Sequence, residues 1–519
     1  MDDLAKELIR QGNSLFEVRH PIDSLWQTIS ENFYPIRADF TRQRNMGEEF
    51  ASDLLSSYPI IAHRELMSVM SSMLRRDDWF QVDTFGGNHK TAGLRWMKFA
   101  TDSMRDQMYA RGAGFVRSTK EGDGDFTAFG NAVLSIELNK YRDGLLYRAW
   151  HPRDVAWTEN EARETDGVYR KWKPRAIDLI KLFPETVHSK VKELAEKSPN
   201  ERVSCYHSVV PVEQLGNEKE WGRMKWASVF IDRDNDHHME KQGKNNKHYC
   251  IPRWQTISGS QYAYSPATVA ALPDARLLQA MTNTLLEAGE KFTNPPMLAV
   301  QGAVRDDLQI YAGGVTWVDE EYDERLGEVV RPLTQDRGGM PIGFNMQEDI
   351  RNQLSEAFYL NKLTLPDARQ MTAYEVSERM NEFVRQTLPL FEPMEDEYNG
   401  QLLEITFDLM MDSGMLGSPM DIPRELRDEE VKFSFETPIK ESIEKKKGVT
   451  FQQTSEMLAA AMEIDPSARH EVDLPGAFRD AMIGVGVDPT WLNDEEAAEA
   501  GRAQDEAMQM AQMAAGAAA

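Results

Sequence analysis

The sequence predicts a mainly helical α+β protein, and three features along its 519 residues support that prediction. Apolar residues recur at helical spacing from the N-terminus to about residue 80, which is typical of amphipathic helices. From about 125 to 255, short β-branched and aromatic runs separated by turn residues indicate a mixed or antiparallel sheet. Helical periodicity returns at Ala267 and dominates the rest of the chain.

The N-terminal helices are predicted from apolar positions that share one helix face. Leu4, Leu8 and Leu15 begin the series, and residues 51–74 repeat the pattern. Four charged residues, 75–78, end that helix, and a short strand is expected directly after them. A further helix is expected over about 90–111.

The β region is expected to begin at about residue 125, where the period of the apolar residues changes. A buried strand opened by a turn is predicted first, and the next two strands are predicted to pair with it. A short helix, 176–182, separates those three strands from two more. The expected strands are residues 129–136, 145–150, 168–172, 203–212 and 226–231.

The polar stretch 233–248 carries acidic and histidine side chains that invite a metal-site interpretation. Asp232, Asp234 and Asp236 have the spacing of calcium-loop ligands, but such a loop requires Gly at position 6 and Glu at position 12. His237 and Gly243 occupy those two positions. The histidines of this stretch also lack zinc-site spacing, so we interpret it as a solvated hairpin loop.

Two predicted helices bracket a β-like, turn-rich stretch, residues 297–343. The first helix, about 267–292, would be ~39 Å long at about 1.5 Å per residue, and two prolines stop it. The second is marked by apolar residues over 346–358. Each helix reads as apolar along one stripe only, so each is expected to need a neighbouring helix.

A short loop, residues 363–371, separates the second of these helices from a long kinked one. Thr372 with a glutamate three residues later has the spacing of a capping box, which fixes a helix start. Pro389 and Pro393 must bend or break that helix, because proline lacks the N–H donor. The apolar stripe then resumes, and Gly414 can end it.

Charge and composition exclude several classes of protein. With 85 acidic and 59 basic residues the net charge is −26, which disfavours wrapping of nucleic acid, since phosphate neutralisation needs Lys and Arg. Two cysteines are too few for a disulfide framework. No apolar run is long enough to span a membrane. No P-loop, dinucleotide fingerprint, nucleophile elbow or zinc-protease motif is present, so neither an enzyme nor a cofactor is expected.

Four short motifs, in order along most of the chain, carry a resemblance to a known family. They are Trp79-Phe80, Phe129-Gly-Asn-Ala-Val-Leu134, Tyr262-Ala-Tyr-Ser-Pro266 followed by Ala271-Leu-Pro-Asp274, and Met371-Thr-Ala-Tyr-Glu-Val376 with Arg379 and later Gly414. Together with the predicted architecture, they resemble the portal (head-to-tail connector) proteins of short-tailed bacteriophages. This sequence departs from that pattern at Ala263, where the family commonly has glycine.

The resemblance implies a portal-type architecture. On this sequence the implied regions are the wing (1–265), the first stem helix (266–296), the clip (297–343), the second stem helix (344–362), the tunnel loop (363–371), the long kinked wing helix with its connection (372–429) and the crown (430–519). It also implies a ring, typically of twelve subunits, at one capsid vertex. A separate terminase pumps double-stranded DNA through the ring, and the DNA is later ejected through it.

The resemblance also implies partners and a location. The partners are the terminase large subunit, tail adaptor proteins, and the major capsid and scaffolding proteins. The location is the virion, and the host cytoplasm during assembly. A chain of charge −26 would form a tunnel through which DNA slides without adhering, and its contacts would not be sequence-specific.

Candidate residues follow for two of the implied regions. The loop 363–371 is more apolar than an ordinary loop, and Pro366 restricts its backbone. We expect it to project into the channel, with Lys362 and Arg369 nearest the phosphates. The DNA-facing candidates are Lys362, Leu365, Asp367, Arg369 and Gln370. The ordinary alternative is a loop packed against a neighbouring subunit.

In the implied clip, Tyr311 and Trp317 are the candidate apolar anchors of an intersubunit interface. An ordinary role in a strand core is an equal alternative for each. The alternative for the whole chain is a scaffolding or adaptor protein of phage that forms no ring. An enzyme without a recognisable motif is a more distant one. Electron microscopy of the purified protein separates a ring from both.

Overall fold

The computed structural model describes residues 3–299, 330–333, 339–361 and 394–508, together with Gln309, Trp317 and Glu328. Within those ranges, short gaps fall at residues 46, 76–77, 86–89, 217–220, 419, 428–429, 436–437, 465–471, 494–496, 499, 502 and 505–506. Helices predominate among the described residues, and the strands collect mainly in the middle of the chain, which confirms the mainly helical α+β class.

Five helices form the N-terminal part, and two short ones lie within the β region. They are α1 (Asp3–Val18), α2 (His20–Phe33), α3 (Tyr58–Leu74), α4 (Thr91–Tyr109), α5 (Phe115–Phe129), α6 (Ala176–Leu182) and α7 (Ser189–Lys197). Those that follow are α8 (Leu272–Thr293), α9 (Gly339–Ala357), α10 (Gln401–Ser413), α11 (Pro438–Ile464) and α12 (Leu474–Val485). Two π-helical turns stand directly before helices: Ala267–Ala271 before α8 and Met394–Gly400 before α10.

All strand pairs described are antiparallel. The strands are β1 (Phe80–Thr84), β2 (Leu134–Leu138), β3 (Leu145–Ala149), β4 (Val155–Glu159), β5 (Thr165–Trp172), β6 (Cys205–Pro211), β7 (Trp226–Asp232), β8 (His237–Lys244), β9 (Tyr249–Cys250), β10 (Met297–Ala299), β11 (Val330–Pro332) and β12 (Val431–Phe435). They form a five-stranded sheet in sequence order from β4 to β8, a three-stranded sheet β3-β2-β9, and the pairs β1-β12 and β10-β11.

The apolar stripe of α1 covers one face of the five-stranded sheet. Leu8 and Phe16 are buried there, and the Phe16 ring stacks on Tyr206 of β6 with centroids 6.2 Å apart. A larger core joins α2 to α5, the three-stranded sheet and α10. Cys250 is buried in this larger core, and Cys205 is buried in a separate cluster with α6 and α7; both are free thiols.

The C-terminal part returns to the N-terminal part through β12 and a 3₁₀ turn. β12 pairs with β1, so Phe80 lies opposite Phe435. After α12, Arg95 of α4 donates to the carbonyl of Leu492 at 2.7 Å, and Lys98 lies 3.2 Å from Asp488. The chain therefore closes on itself around α4.

Several sequence predictions need correction. The strand expected over 129–136 begins at Leu134, because Phe129 ends helix α5, which was not predicted, and residues 130–133 connect the two elements. β5 lies in the five-stranded sheet and does not pair with β2. β4 and β12 were also missed. Much of the stretch expected to be a solvated loop, 233–248, is β8, whose Met239 is buried.

Candidate functional site

The helices α8 and α9 form an antiparallel hairpin that stands out from the rest of the chain by its exposure. A Cβ placed on Gly343 would lie 2.6 Å from a methyl group of Leu285. One turn further, Gln347 Nε2 donates to Thr282 Oγ1 at 2.8 Å. The residue number rises on one helix as it falls on the other, so the helices run in opposite directions and touch over these positions.

Large apolar side chains of α9 remain outside this contact on both of its flanks. Ile342 is 61% exposed and Phe344 is 54% exposed. At about 100° per residue, these two positions lie on opposite sides of Gly343, which faces α8. Met346 is exposed on the same side as Ile342. The expectation of a single apolar stripe is therefore wrong for α9: the helix has one packed face and two exposed apolar flanks.

Helix α8 repeats this arrangement. Leu277 is 49% exposed, while its neighbour Leu278 is fully buried. Leu286 is also exposed and lies about 180° around the helix from Leu277, since nine residues separate the two. The hairpin thus carries uncovered apolar area on two sides, which is unusual for a helix pair whose partners all lie in its own chain.

Beyond the hairpin, β10 and β11 form a pair of three residues each, with Met297 opposite Pro332 and Ala299 opposite Val330. Met297 and Leu298 are exposed. A two-stranded sheet of this length is at best marginally stable alone. Trp317, a candidate interface anchor, is 65% exposed, and Tyr311, the other anchor, lies outside the described residues.

The first end of the hairpin is attached to helix α5 through two of the motifs that carried the resemblance. The amide of Asn131 donates to the carbonyl of Ala263 at 2.9 Å and accepts from its N–H at 3.0 Å. Ser265 Oγ donates to the carbonyl of Ala128 at 2.6 Å. Gly130 has φ of 75°, and a Cβ there would lie 2.5 Å from the carbonyl carbon of Tyr264. Only glycine fits this contact.

A glutamine on α8 holds a second segment of the chain against the hairpin. Gln279 Oε1 accepts from the backbone N–H groups of Leu55 and Ser56, each at 2.9 Å, and its Nε2 donates to the carbonyl of Ser56 at 2.8 Å. One side chain therefore satisfies three backbone groups of the segment before α3. Loss of this side chain would leave two N–H groups without an acceptor.

The π turn Met394–Gly400 is the other connection between the excursion 272–393 and the rest of the chain. Tyr398 packs on α5 at Gly122, where a Cβ would lie 2.5 Å from the tyrosine oxygen. Arg75 stacks on the Tyr398 ring, with its guanidinium carbon 4.5 Å from the centroid. The same guanidinium donates to both oxygens of Asp123, at 2.8 and 2.9 Å, and to Asn399 Oδ1 at 3.1 Å.

A second buried arginine also contacts this turn. Arg253 lies 2.9 Å from Glu397 and 2.9 Å from Glu159, and its side chain is almost fully buried. Charge-assisted contacts of this kind are short and directional. Arg75 and Arg253 together contact three consecutive residues, 397 to 399.

Helix α5 lies at the centre of these attachments, although its middle reads as a polar, glycine-rich segment. Asp123 pairs with Arg75, and Asp125 pairs with Arg37, whose Nε is 2.8 Å away. Burial raises the pKa of Asp125, and the Arg37 guanidinium partly offsets that rise. Gly122 and Gly124 leave room for two tyrosine hydroxyls. These residues therefore serve helix packing and buried ion pairs.

The sequence did contain a signal for α5. Phe115, Thr119, Gly122, Phe126 and Phe129 recur at intervals of four and three residues, and all are buried. Two glycines and three acidic residues within five positions obscured that period. The cations that neutralise the aspartates lie ~50 to 90 positions away in sequence, so the pairing could not be read locally.

The DNA-facing candidates lie outside the described residues, so their placement stays a prediction: Lys362, Leu365, Asp367, Arg369 and Gln370. The capped start of the long kinked helix lies outside them too. Its continuation is described: Tyr398, Leu402 and Met410 are buried as the apolar stripe predicted, and Gly414 ends α10 with φ of 76°.

Two other kinds of site are absent from the described residues. None of the helices described is both long and apolar enough to cross a lipid bilayer. No group of three or more His, Cys, Asp or Glu side chains in the described part of the chain is arranged to hold a metal ion.

Comparison with known proteins agrees with the resemblance. The family described as bacteriophage head to tail connecting protein matches residues 5–492. A probable portal protein of Bordetella phage BPP-1 is 25% identical over 452 residues, covering 83% of this chain and 78% of that protein. A portal protein of Salmonella phage epsilon15 is 24% identical over 522 residues, covering 96% and 90% respectively.

A solved virion structure of a native gene transfer agent particle matches 73% of this chain and 80% of the matched chain at 10% identity, with a TM-score of 0.34. That likeness is too slight to contribute to the argument. The family match extends over nearly the whole sequence and includes α5, both attachments of the hairpin and the hairpin itself. The chain belongs to the bacteriophage head-to-tail connecting protein family.

Proposed function

We propose that this chain is the subunit of a portal ring at one vertex of a phage capsid. In this role it is a structural protein: the ring forms the channel for DNA packaging and ejection, and holds the terminase and then the tail. Membership of the connector family and two relatives named as portal proteins support the proposal. The observation that carries it is the exposure of apolar side chains on both flanks of the α8–α9 hairpin.

The two flanks favour a ring over a dimer. A twofold dimer uses the same patch on both partners, so it would cover one flank of each hairpin. A head-to-tail contact joins the flank that carries Ile342 on one subunit to the flank that carries Phe344 on the next. Repeating that contact covers every flank, and the assembly ends only when the ring closes. The resemblance sets the expected number of subunits at twelve.

The hairpin is assigned as the stem of the ring, and the remaining regions follow. The wing is 1–265, the clip is centred on β10 and β11, and the crown is 430–519. Because α9 begins at Gly339, the second stem helix starts five residues before its expected position at 344. The exposed β10–β11 pair would gain strands from neighbouring subunits in the clip. Tyr311 and Trp317 are the proposed apolar anchors there.

We assign the channel lining to the loop 363–371. Lys362, Leu365, Asp367, Arg369 and Gln370 are the residues proposed to face the DNA. A net charge of −26 per subunit supports passage without adhesion, because few cations are available to replace the counterions of DNA. The proposed partners are the terminase large subunit, tail adaptors, and the capsid and scaffolding proteins, and the proposed sites are the virion and the host cytoplasm.

Electron microscopy of the purified full-length chain tests this proposal. Closed rings with an axial channel are expected, and monomers or open filaments at all protein concentrations would contradict it and favour a scaffolding or adaptor role. Replacing residues 365–369 with Gly and Ser then tests the channel assignment. Rings should persist with a wider constriction and poorer retention of packaged DNA. An unchanged channel and unchanged retention would remove the loop from the lining.

A further inference from the structure

The two π-helical turns divide the chain in a way that no sequence motif indicates. Ala267–Ala271 directly precedes α8, and Met394–Gly400 directly precedes α10. The whole excursion between them, 272–393, contains the hairpin, its strands and the proposed channel segment. A π turn closes on the fifth residue back, as Leu272 N–H does on the carbonyl of Ala267, so it accommodates one residue more than an α turn.

Both turns rest on helix α5. Ser265, just before the first turn, bonds to the carbonyl of Ala128 near the C-terminal end of α5. Tyr398, within the second, packs against Gly122 in its middle. Buried ion pairs join α5 to Arg75, directly after α3, and to Arg37, in the 3₁₀ turn after α2, so the excursion is mounted at two points on one well-anchored helix.

The polar groups around the second turn are incompletely satisfied. Arg75 Nη2 and Asn399 Nδ2 are buried donors, and Gln401 Oε1 is a buried acceptor. None of these three atoms has a hydrogen-bond partner in the part of the chain described. Buried polar atoms of native proteins are nearly always paired, and unpaired ones raise the free energy of the state that contains them. A second arrangement of this turn that pairs them can therefore compete with the observed one.

We propose that Met394–Gly400 is a register switch at the root of the channel segment. In the observed state the turn holds one additional residue. In the other state the turn is α-helical, and that residue passes out of the turn on its N-terminal side. Arg75 and Arg253 contact residues 397–399 in the observed state, so the shift has to exchange these contacts for others. The shift would also change the position of the channel lining relative to the wing. This consequence rests on the proposed function.

Gly400 offers a way to bias the switch without changing the length of the chain. A Cβ at Gly400 would lie 3.2 Å from the carbonyl oxygen of Glu395, five residues back, so alanine crowds the π form. Alanine also favours an α-helix over glycine. The matched control is Gly289→Ala on α8, where a Cβ would meet no described atom within 4 Å. Both variants gain the same methyl group in a helix.

Hydrogen exchange of the purified full-length chain, followed by mass spectrometry, measures the switch. In the wild type, amides of 394–400 should exchange at least tenfold faster than those of α10. Gly400→Ala should slow the turn at least threefold, and Gly289→Ala should leave it unchanged. Equal exchange in the turn and in α10 of the wild type would overturn the proposal, as would equal behaviour of the two alanine variants.

A deletion provides a second variant. Asp396 is exposed within the turn, so deleting it removes the additional residue, while Asp396→Asn keeps the length as a control. The deletion should bring exchange of the turn to the rate of α10, and an unchanged rate in a folded deletion variant would again overturn the switch. If the deletion prevents folding, Gly400→Ala decides alone. These measurements do not need a ring, so they separate failure of the switch from failure of the portal assignment.

Discussion

Helix α5 and the α8–α9 hairpin lie next to each other in the fold and differ in what stabilises them. All but four residues of α5 are buried, and its two aspartates are paired with arginines of the same chain. The hairpin buries only a few residues of each helix and leaves Leu277, Ile342 and Phe344 exposed. The first element is complete within one chain, whereas the second, in the proposed ring, is completed by neighbouring subunits. Folding and assembly therefore depend on separate sets of residues.

The largest expected effect comes from two adjacent leucines of α8. Leu278→Asp places a charge in the core and should cost more than about 4 kcal/mol of unfolding free energy, which is enough to prevent folding. Leu277→Asp affects an exposed position, so the melting temperature should change little while ring formation is lost. Calorimetry and mass photometry of the two variants test this. Equal effects of both on folding would contradict the division between the two elements.

The next effect concerns the ion pair of α5. Asp123→Ala leaves Arg75 buried without its carboxylate and should destabilise the chain by about 3–5 kcal/mol. Asp178→Ala breaks the exposed pair with Arg175 and serves as the control, with no measurable loss expected. Denaturant unfolding followed by tryptophan fluorescence gives both values. A small loss for Asp123→Ala would mean that α5 is not the fixed support described here.

A pH effect of roughly 3 kcal/mol is expected from His63, which lies 2.8 Å from Thr127 of α5. Burial lowers the pKa of His63 to about 4, so the folded state resists its protonation. The unfolded chain takes up that proton first, and stability is therefore lost as the pH falls from about 6.5 to about 4.

His63→Gln should flatten this part of the stability profile, and the exposed His20→Gln should not. The measurement is the unfolding free energy of each variant at several pH values between 4 and 7. A wild-type slope that persists unchanged in His63→Gln would assign the acid sensitivity to other buried groups.

The smallest effect concerns the joint between α5 and the hairpin. Gly130 and Gly216 both have positive φ, 75° and 68°, so alanine at either position costs about 1–2 kcal/mol. At Gly130 the new methyl group would also meet the backbone of Tyr264, whereas at Gly216 no atom of the described residues lies within 4 Å. Gly130→Ala should therefore be the more destabilising by at least about 1 kcal/mol. Equal melting temperatures of the two variants would show that the backbone around Gly130 moves to accommodate the methyl group.

Sequence periodicity predicted most helices well. The expected helix at about 90–111 is Thr91–Tyr109, and the short one expected at 176–182 is Ala176–Leu182. Both have clear apolar periods and polar flanks, so local pattern and tertiary environment agree. The predicted strands 145–150, 203–212 and 226–231 were also correct, because each of their ends lies within two residues of the observed one.

Elements stabilised by distant partners escaped prediction. The buried aspartates of α5 are paired with Arg37 and Arg75, which follow α2 and α3 and lie 88 and 48 positions earlier in the chain. Strand β12 becomes a strand by pairing with β1, roughly 350 positions earlier. The exposed flanks of the hairpin also could not be foreseen, because a period reveals which residues are apolar and not which of them the chain itself covers.

One measurement tests the head-to-tail contact between hairpins most directly. Two variants are prepared separately: Ile342→Asp with Met346→Asp blocks one flank, and Phe344→Asp blocks the other. Native mass spectrometry of each alone should give the monomer mass of 59.2 kDa. An equimolar mixture should give a one-to-one heterodimer, because each variant retains the flank that its partner needs. Closed rings of either variant alone, or a homodimer of one variant and no heterodimer in the mixture, would contradict the account.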